Sequence, residues 1–246
     1  QNNIYGVDIE KGAVDIARLR FWLSIVVDEE TPSPLPNLDY KIMQGNSLIE
    51  SFMGVDLSKL TYEKENKNDK GELSLFDDEK NHLQKIVTHL LSNYYSCSDH
   101  DRKIKLQKEI ADTINKQLEA QSYNSAILNE LKKINPAENN NFFLWHTWFS
   151  DVFNRDDKEG FDIVIGNPPY VVVSDVDKER LYYKYKTKNC LELYSYFFEH
   201  SINILHHNGV LSFITGSLYT KGIKFEPLRI FLENNSQLIA YRNEGD

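Results

Sequence analysis

Asn167, Pro168, Pro169 and Tyr170 stand directly after the apolar run FDIVIG. The two prolines fix the backbone and remove two amide hydrogens, so the carbonyls of this turn are free to face a ligand. An amine attached to an aromatic ring is a poor nucleophile, because its lone pair is delocalised into the ring. Two acceptors, the Asn167 side-chain oxygen and the Pro168 carbonyl, would take hydrogen bonds from its two N–H groups. That pull favours tetrahedral nitrogen and stabilises the positive charge that develops as the nitrogen attacks an electrophile. Tyr170 offers an aromatic face on which a planar base can stack. The plain alternative is a strand that ends in a proline turn, with Tyr170 in the core.

Asp8 closes the short run IYGVD. A carboxylate at such a strand end is a usual holder of ribose hydroxyls in a nucleoside-binding sheet, and it is equally a helix N-cap; Glu10 is the competing carboxylate. Gly45, Asn46, Ser47 and Leu48 follow a second apolar run, where a polar side chain could meet a base amine, or the Gly-Asn pair could be a plain turn. Trp145, His146, Trp148 and Phe149 read as packing. Lys178, Arg180, Lys184, Lys186 and Lys188, with Tyr182, Tyr183 and Tyr185 between them, could touch a phosphate backbone or form a solvated basic face. Cys97 and Cys190 fit no metal spacing and read as two free thiols of a reducing compartment. No paired carboxylate–lysine set stands in a strand context suited to a nuclease.

These residues need elements to hold them. Residues 4–9 and 40–44 read as short buried strands. Between them, Ala13, Ile16, Ala17, Arg20, Phe21, Leu23 and Ser24 recur at helical spacing. Residues 29–36 carry three prolines and read as a loop. Residues 63–70 read as a mobile polar loop, and 75–95 with 101–131 as an antiparallel helical hairpin that turns at 96–99. Residues 142–148 read as a strand or an aromatic packing segment. Further on, the patterns predict a strand at 161–165, a helix at 191–205 stopped by 206–209, a strand at 210–215, a helix at 225–234 and a strand from 238. Strands alternating with helices predict an α/β fold with a mostly parallel sheet.

The chain has 246 residues, 41% hydrophobic and 26% charged, enough for a full core. No apolar stretch is long enough to span a bilayer and the start lacks a leader pattern, which predicts a cytoplasmic protein without membrane contact. The net charge of −9 argues against a free-standing DNA binder, since phosphate contacts need clustered lysine and arginine.

Taken together, IYGVDIEKGAVDIARLRFWLS, MQGNSL, NFFLWHTWFSDVFNRDDKEGFDIVIGNPPYV, LELYSYFFEHSINIL and GVLSFITGSLYTKGIKFEPLRIFL resemble the gamma-type N6-adenine DNA methyltransferases. The resemblance is strongest to type IIG restriction–modification enzymes and BREX-system methyltransferases. It implies a Rossmann-like S-adenosylmethionine-dependent methyltransferase fold, present here as a partial sheet with a helical insertion. The expected division is core at 1–57, insertion at 58–138 and catalytic core at 139–246. The resemblance implies Asn167, Pro168, Pro169 and Tyr170 as the target-amine site, and Asp8, Ile9, Asn46, Ser47 and Asn167 as contacts to S-adenosyl-L-methionine, with no metal. Asp8 would bind the ribose, and Asn46, an Asp in many relatives, would approach the adenine amine. Its partners would be double-stranded DNA and a recognition domain or subunit. The family's glycine-rich first motif and its recognition domain have no counterpart here, and both ends read as cuts through a larger protein. The chain alone is therefore expected to be inactive and to bind cofactor weakly; any nuclease would lie elsewhere. Methyltransferases of protein glutamine or RNA guanine share the Asn-Pro-Pro-aromatic turn, N4-cytosine chemistry is near, and a non-catalytic scaffold is a further class.

Overall fold

The computed structural model describes residues 3–28, 35–58, 75–120, 124–156, 158–181, 184–190 and 192–242. The chain divides into two compact units, Gln1–Ser150 and Asp151–Asp246. The segment 139–150 is bonded into the first unit. There Phe143 N donates to Ile49 O at 2.8 Å, and the Thr88 and Ser150 hydroxyls share a hydrogen bond of 2.9 Å.

In the first unit, β1 (Gly6–Asp8) runs parallel to β2 (Ile42–Gln44), with Asp8 opposite Gln44. Helix α1 (Lys11–Asp28) connects them. Its inward stripe is Val14, Ala17 and Trp22, packed against Leu38 and Ile42. The Arg18 guanidinium lies on the same stripe and donates to Ile42 O at 2.9 and 2.6 Å. The stripe read from the sequence is rotated from this one, and Ile16, Leu19 and Leu23 are more than half exposed. A hairpin of β3 (Ser51–Phe52) and β4 (Val55–Asp56) follows, turning at Met53 and Gly54, both at positive φ as a type I′ turn requires.

Helices α2 (Leu75–Ser96) and α3 (His100–Ala120) form the expected hairpin. Asp99 caps α3, its carboxylate accepting from Arg102 N at 2.7 Å. Leu106, Ile110, Thr113, Ile114, Gln117 and Leu118 make the buried stripe of α3. The helical reading of 101–131 is interrupted: α4 (Ser125–Leu131) starts afresh, because Asn124 accepts from Ala126 N at 2.9 Å and caps a new helix. The hairpin docks through tyrosines. Tyr94 OH donates to Asp39 at 2.8 Å and Tyr95 OH to Tyr40 O at 3.1 Å. Residues 142–144 are not a strand; they lead into the one-turn helix α5 (Trp145–Trp148), followed by α6 (Ser150–Phe153).

In the second unit, β5 (Phe161–Gly166) pairs in parallel with β6 (Leu205–Phe213). Helices α7 (Asp175–Leu181) and α8 (Leu193–Ile204) lie between them in sequence, and α9 (Glu226–Asn235) follows. The ladder jumps from Phe161 opposite Leu205 to Ile163 opposite Val210, so 206–209 bulge out where the sequence signalled a stop. Residues 238–242 are not a strand. Among the described residues no strand pairs with them, and Leu238 and Ile239 are exposed.

The architecture is a mixture of α and β, with the described strands in three two-stranded sheets. Cys97 and Cys190 are free. The readings of 29–34 and 63–70 as loops, and of Tyr182 and Tyr183 as part of a basic face, lie outside the described residues. Among the described residues no helix is long and apolar enough to cross a membrane.

Candidate functional site

The second unit places Asn167, Pro168, Pro169 and Tyr170 at the carboxyl end of β5. Gly166 O there accepts from Ile214 N at 3.1 Å, so the neighbouring strand holds the last residue before the turn. Pro168 is buried, while Asn167, Pro169 and Tyr170 are exposed. Tyr170 OH donates to Asn167 Oδ1 at 2.9 Å. An amide oxygen has two lone pairs, so the bond orients the Asn167 side chain and leaves it able to accept once more. The chain leaving the turn is pinned to the start of α8, with Leu193 N donating to Val171 O at 2.8 Å.

Behind this turn stands an aromatic column that the sequence reading did not single out. The Tyr170 ring meets Tyr194 edge-on at 6.4 Å, and Tyr194 stacks on Phe225 at 5.5 Å. Cys190, Tyr194, Phe198, Phe225 and Leu228 form the buried cluster, and the four-residue spacing of 190, 194 and 198, leading into and along α8, was the available signal. Burial pushes the Tyr194 hydroxyl well above the usual tyrosine range. Glu199, 2% exposed, accepts from Lys186 N at 2.9 Å and Thr187 N at 2.8 Å. It thereby folds the basic segment back on α8. Of that segment, Lys184 and Lys186 are exposed, whereas Tyr185 is core and offers no free face for a base.

In the first unit, Asp8 and Asn46 share the carboxyl end of the β1–β2 pair. Gly45 N donates to Asp8 O at 2.9 Å, continuing the ladder one step past Gln44. The exposed Asp8 accepts from Glu10 N at 2.8 Å through Oδ1. The first helical bond, Val14 N to Glu10 O, makes Glu10 the backbone cap of α1, so Asp8 forms a turn ahead of the helix and does not cap it directly. Ile9 O accepts from Gln44 Nε2 at 3.0 Å. Asn46 is half-buried and accepts from Leu48 N at 3.2 Å. Ser47 O accepts from the Trp145 indole at 2.9 Å. The residues able to hold a nucleoside here are an anionic oxygen, Asp8 Oδ2, and the amide of Asn46.

The sequence matches the family described as Eco57I restriction-modification methylase over residues 2–245. It is similar to a protein of Methanocaldococcus jannaschii described as a type II restriction enzyme and methyltransferase, with 27% identity over 93% of this chain and 23% of that protein. A type II restriction enzyme and methyltransferase of Escherichia coli is 36% identical over 33% of this chain and 9% of its own length. A type II methyltransferase of Geobacillus stearothermophilus is 30% identical over 38% of this chain and 16% of its own length. The chain thus spans less than a quarter of each relative. The family match extends far beyond the Asn-Pro-Pro-Tyr turn to both units, and so the chain belongs to the Eco57I restriction-modification methylase family, as part of a type II methyltransferase core.

Proposed function

We propose that the protein transfers a methyl group from S-adenosyl-L-methionine to the N6 amine of an adenine in double-stranded DNA, as part of a restriction–modification system. The observation that carries this reading is Asn167, exposed at the end of β5 with its amide oriented by Tyr170 OH at 2.9 Å. Asn167 Oδ1 and the Pro168 carbonyl accept from the two N–H groups of the target amine, which draws its lone pair out of conjugation. The Tyr170 face holds the base once it leaves the duplex stack.

The cofactor supplies an electrophilic methyl group on a sulfonium. The residues present fit its adenosine half. Asp8 uses one carboxylate oxygen on Glu10 N and keeps the other for ribose hydroxyls, beside Ile9. Asn46, next to Ser47, keeps its amide N–H donors and one lone pair for the edge of the adenine ring. We also propose Asn167 as a cofactor contact, as the resemblance implies. We place these residues on a Rossmann-like methyltransferase fold in a cytoplasmic protein. With a net charge of −9, the duplex is gripped by a recognition domain or subunit and not by this chain.

The test is to incubate the full-length gene product with methyl-labelled S-adenosyl-L-methionine and DNA, digest the DNA to nucleosides and identify the labelled one. N6-methyladenine is expected. Label on cytosine N4, on protein or on RNA would overturn the reading, as would no label at all.

A further inference from the structure

The aromatic segment at 142–149 reads as packing in the sequence, and most of it is packing in the structure. One residue does more. We propose that Trp145 is a positioning residue for the 45–50 loop, and through that loop sets the orientation in which Asn46 meets the adenine of the cofactor. The inference rests on the cofactor reading given above and names a residue beyond it.

Within the loop, Leu48 N donates to Asn46 Oδ1 at 3.2 Å and Ile49 N to Asn46 O at 3.2 Å. Besides the bonds of Gly45 N to Asp8 O and Leu57 N to Glu50 O, it is anchored by the aromatic segment almost a hundred residues later. The Trp145 indole N–H donates to Ser47 O at 2.9 Å, and the Trp145 backbone N–H donates to the buried Glu50 carboxylate at 3.3 Å. Phe143 N donates to Ile49 O at 2.8 Å. The Phe143 ring lies so near Gly45 that a Cβ there would stand 2.5 Å from Cδ2. Residues 45, 47, 49 and 50 are each gripped, and Asn46 projects from between the grips.

Packing alone needs the ring of Trp145, which meets Phe143 edge-on at 5.0 Å and Phe149 at 5.7 Å. It does not need the N–H. Trp148 supplies the contrast three residues on: it too is buried and stacks on Tyr40 at 5.4 Å, but its indole N–H has no hydrogen-bond partner among the described residues. Of these two buried indoles, only that of Trp145 bonds to the loop beside Asn46. A donor fixed on the Ser47 carbonyl sets the Ser47–Leu48 peptide plane, whose Leu48 N–H donates to Asn46 Oδ1, and with it the direction of the Asn46 side chain.

The experiment uses the full-length gene product and two probes, S-adenosyl-L-homocysteine and its inosyl counterpart, which carries an oxygen in place of the adenine amine. Calorimetric Kd values should favour the adenine form about tenfold or more, the size of one well-placed hydrogen bond. Trp145→Phe keeps an aromatic ring and removes the donor. It should bring the two probes to within about threefold of each other and raise the cofactor KM more than it lowers kcat. Trp148→Phe should keep the selectivity. Glu50→Gln retains an acceptor for Trp145 N and should stay near the parent, whereas Glu50→Ala should behave as Trp145→Phe does. Amide exchange of Leu48 and Ile49 should speed up in Trp145→Phe. Parent-like selectivity in that variant, or collapse in Trp148→Phe as well, overturns the positioning role. Asn46→Ala separates the two claims. If it leaves both Kd values unchanged, the cofactor reading of Asn46 falls; if it erases the preference and Trp145→Phe does not, the positioning inference alone falls.

Discussion

Gly45→Ala tests the packing that holds the 45–50 loop, and its cost can be worked from the contacts. An added Cβ would lie 2.5 Å from Phe143 Cδ2, 3.0 Å from its Cβ and 3.1 Å from its Cγ. Carbon atoms in contact sit about 3.5–4.0 Å apart, so about 1 Å of movement is required. Turning the Phe143 ring about its side-chain bonds cannot supply it, because Cβ moves only with the backbone, and Phe143 N is bonded to Ile49 O at 2.8 Å. The ring itself is 1% exposed and wedged against Trp145 and Phe149, at 5.0 and 5.3 Å. Overpacking of this kind costs about 1–3 kcal/mol. Gly45 has no positive φ, so the alanine gives back about 0.4–1 kcal/mol by restricting the unfolded chain. The net expectation is about 1–2 kcal/mol of destabilisation, which lowers a urea midpoint by about 0.5–1 M at an m-value of about 2 kcal/mol/M. Unfolding followed by tryptophan fluorescence measures it. The Gly45→Ala/Phe143→Ala double variant should recover about 1 kcal/mol relative to the sum of the singles, because alanine removes the Cδ2 and Cγ atoms of the collision and keeps only Cβ. A Gly45→Ala midpoint equal to the parent's, or a strictly additive cycle, would refute this account of the loop.

Asn167→Ala in the full-length gene product should lower kcat for methyl transfer by about 10²–10³ with a smaller change in either KM, since it removes an acceptor used as charge develops; equal loss in KM would mean that Asn167 only binds. Burial, with the hydrogen bond to Asp39 adding to it, pushes the Tyr94 hydroxyl up to about 12, so the folded state favours the neutral phenol. The stability this contributes is fully present below about pH 10, the ordinary tyrosine value, and is lost as pH rises to about 12. Tyr94→Phe should flatten alkaline unfolding in that window, read by circular dichroism, and an unchanged slope would be the contrary result. Glu199→Leu leaves Lys186 N and Thr187 N without their acceptor and should cost about 2–4 kcal/mol in denaturant unfolding, with Glu199→Gln in between because only one of its two heavy atoms accepts.

What was legible in the sequence was what local chemistry decides. The FDIVIG run and the prolines behind it fix where β5 stops, and the aromatic-rich pattern of 191–205 fixes the existence of α8, though not its inward face. Other features depend on distant neighbours. Helix α1 was expected and is there, but its inward face follows Leu38, Ile42 and the carbonyl that Arg18 reaches, and periodicity cannot see these when apolar residues surround the helix. The β3–β4 hairpin was missed because Met53, at φ 48°, is not a residue type that signals a left-handed turn. Residues 238–242 have the apolar pattern of a strand, but a pattern cannot supply a partner edge. Trp145 was read as core because composition does not report where an indole N–H points.

The alternatives that the sequence left open at Asp8 and at Asn46, a local turn or a ligand contact, are not exclusive, and the geometry shows how one side chain can serve both. Asp8 Oδ1 accepts from Glu10 N, Asn46 Oδ1 from Leu48 N, and Asn167 Oδ1 from Tyr170 OH, each two or three residues along the chain. Every one of these bonds fixes a side-chain rotamer, and every one leaves acceptor capacity over: a second oxygen on Asp8, a second lone pair on each amide. A free side chain would lose rotamer entropy when it met a ligand, on the order of 1 kcal/mol, and here much of that ordering is already present. Replacing Asp8 or Asn46 by a residue that keeps the turn but offers no second acceptor therefore separates the two roles. Serine at Asp8 retains a hydroxyl for Glu10 N but loses the anionic oxygen. The turn alone predicts an unchanged fold and unchanged binding; the double role predicts an unchanged fold with weakened binding.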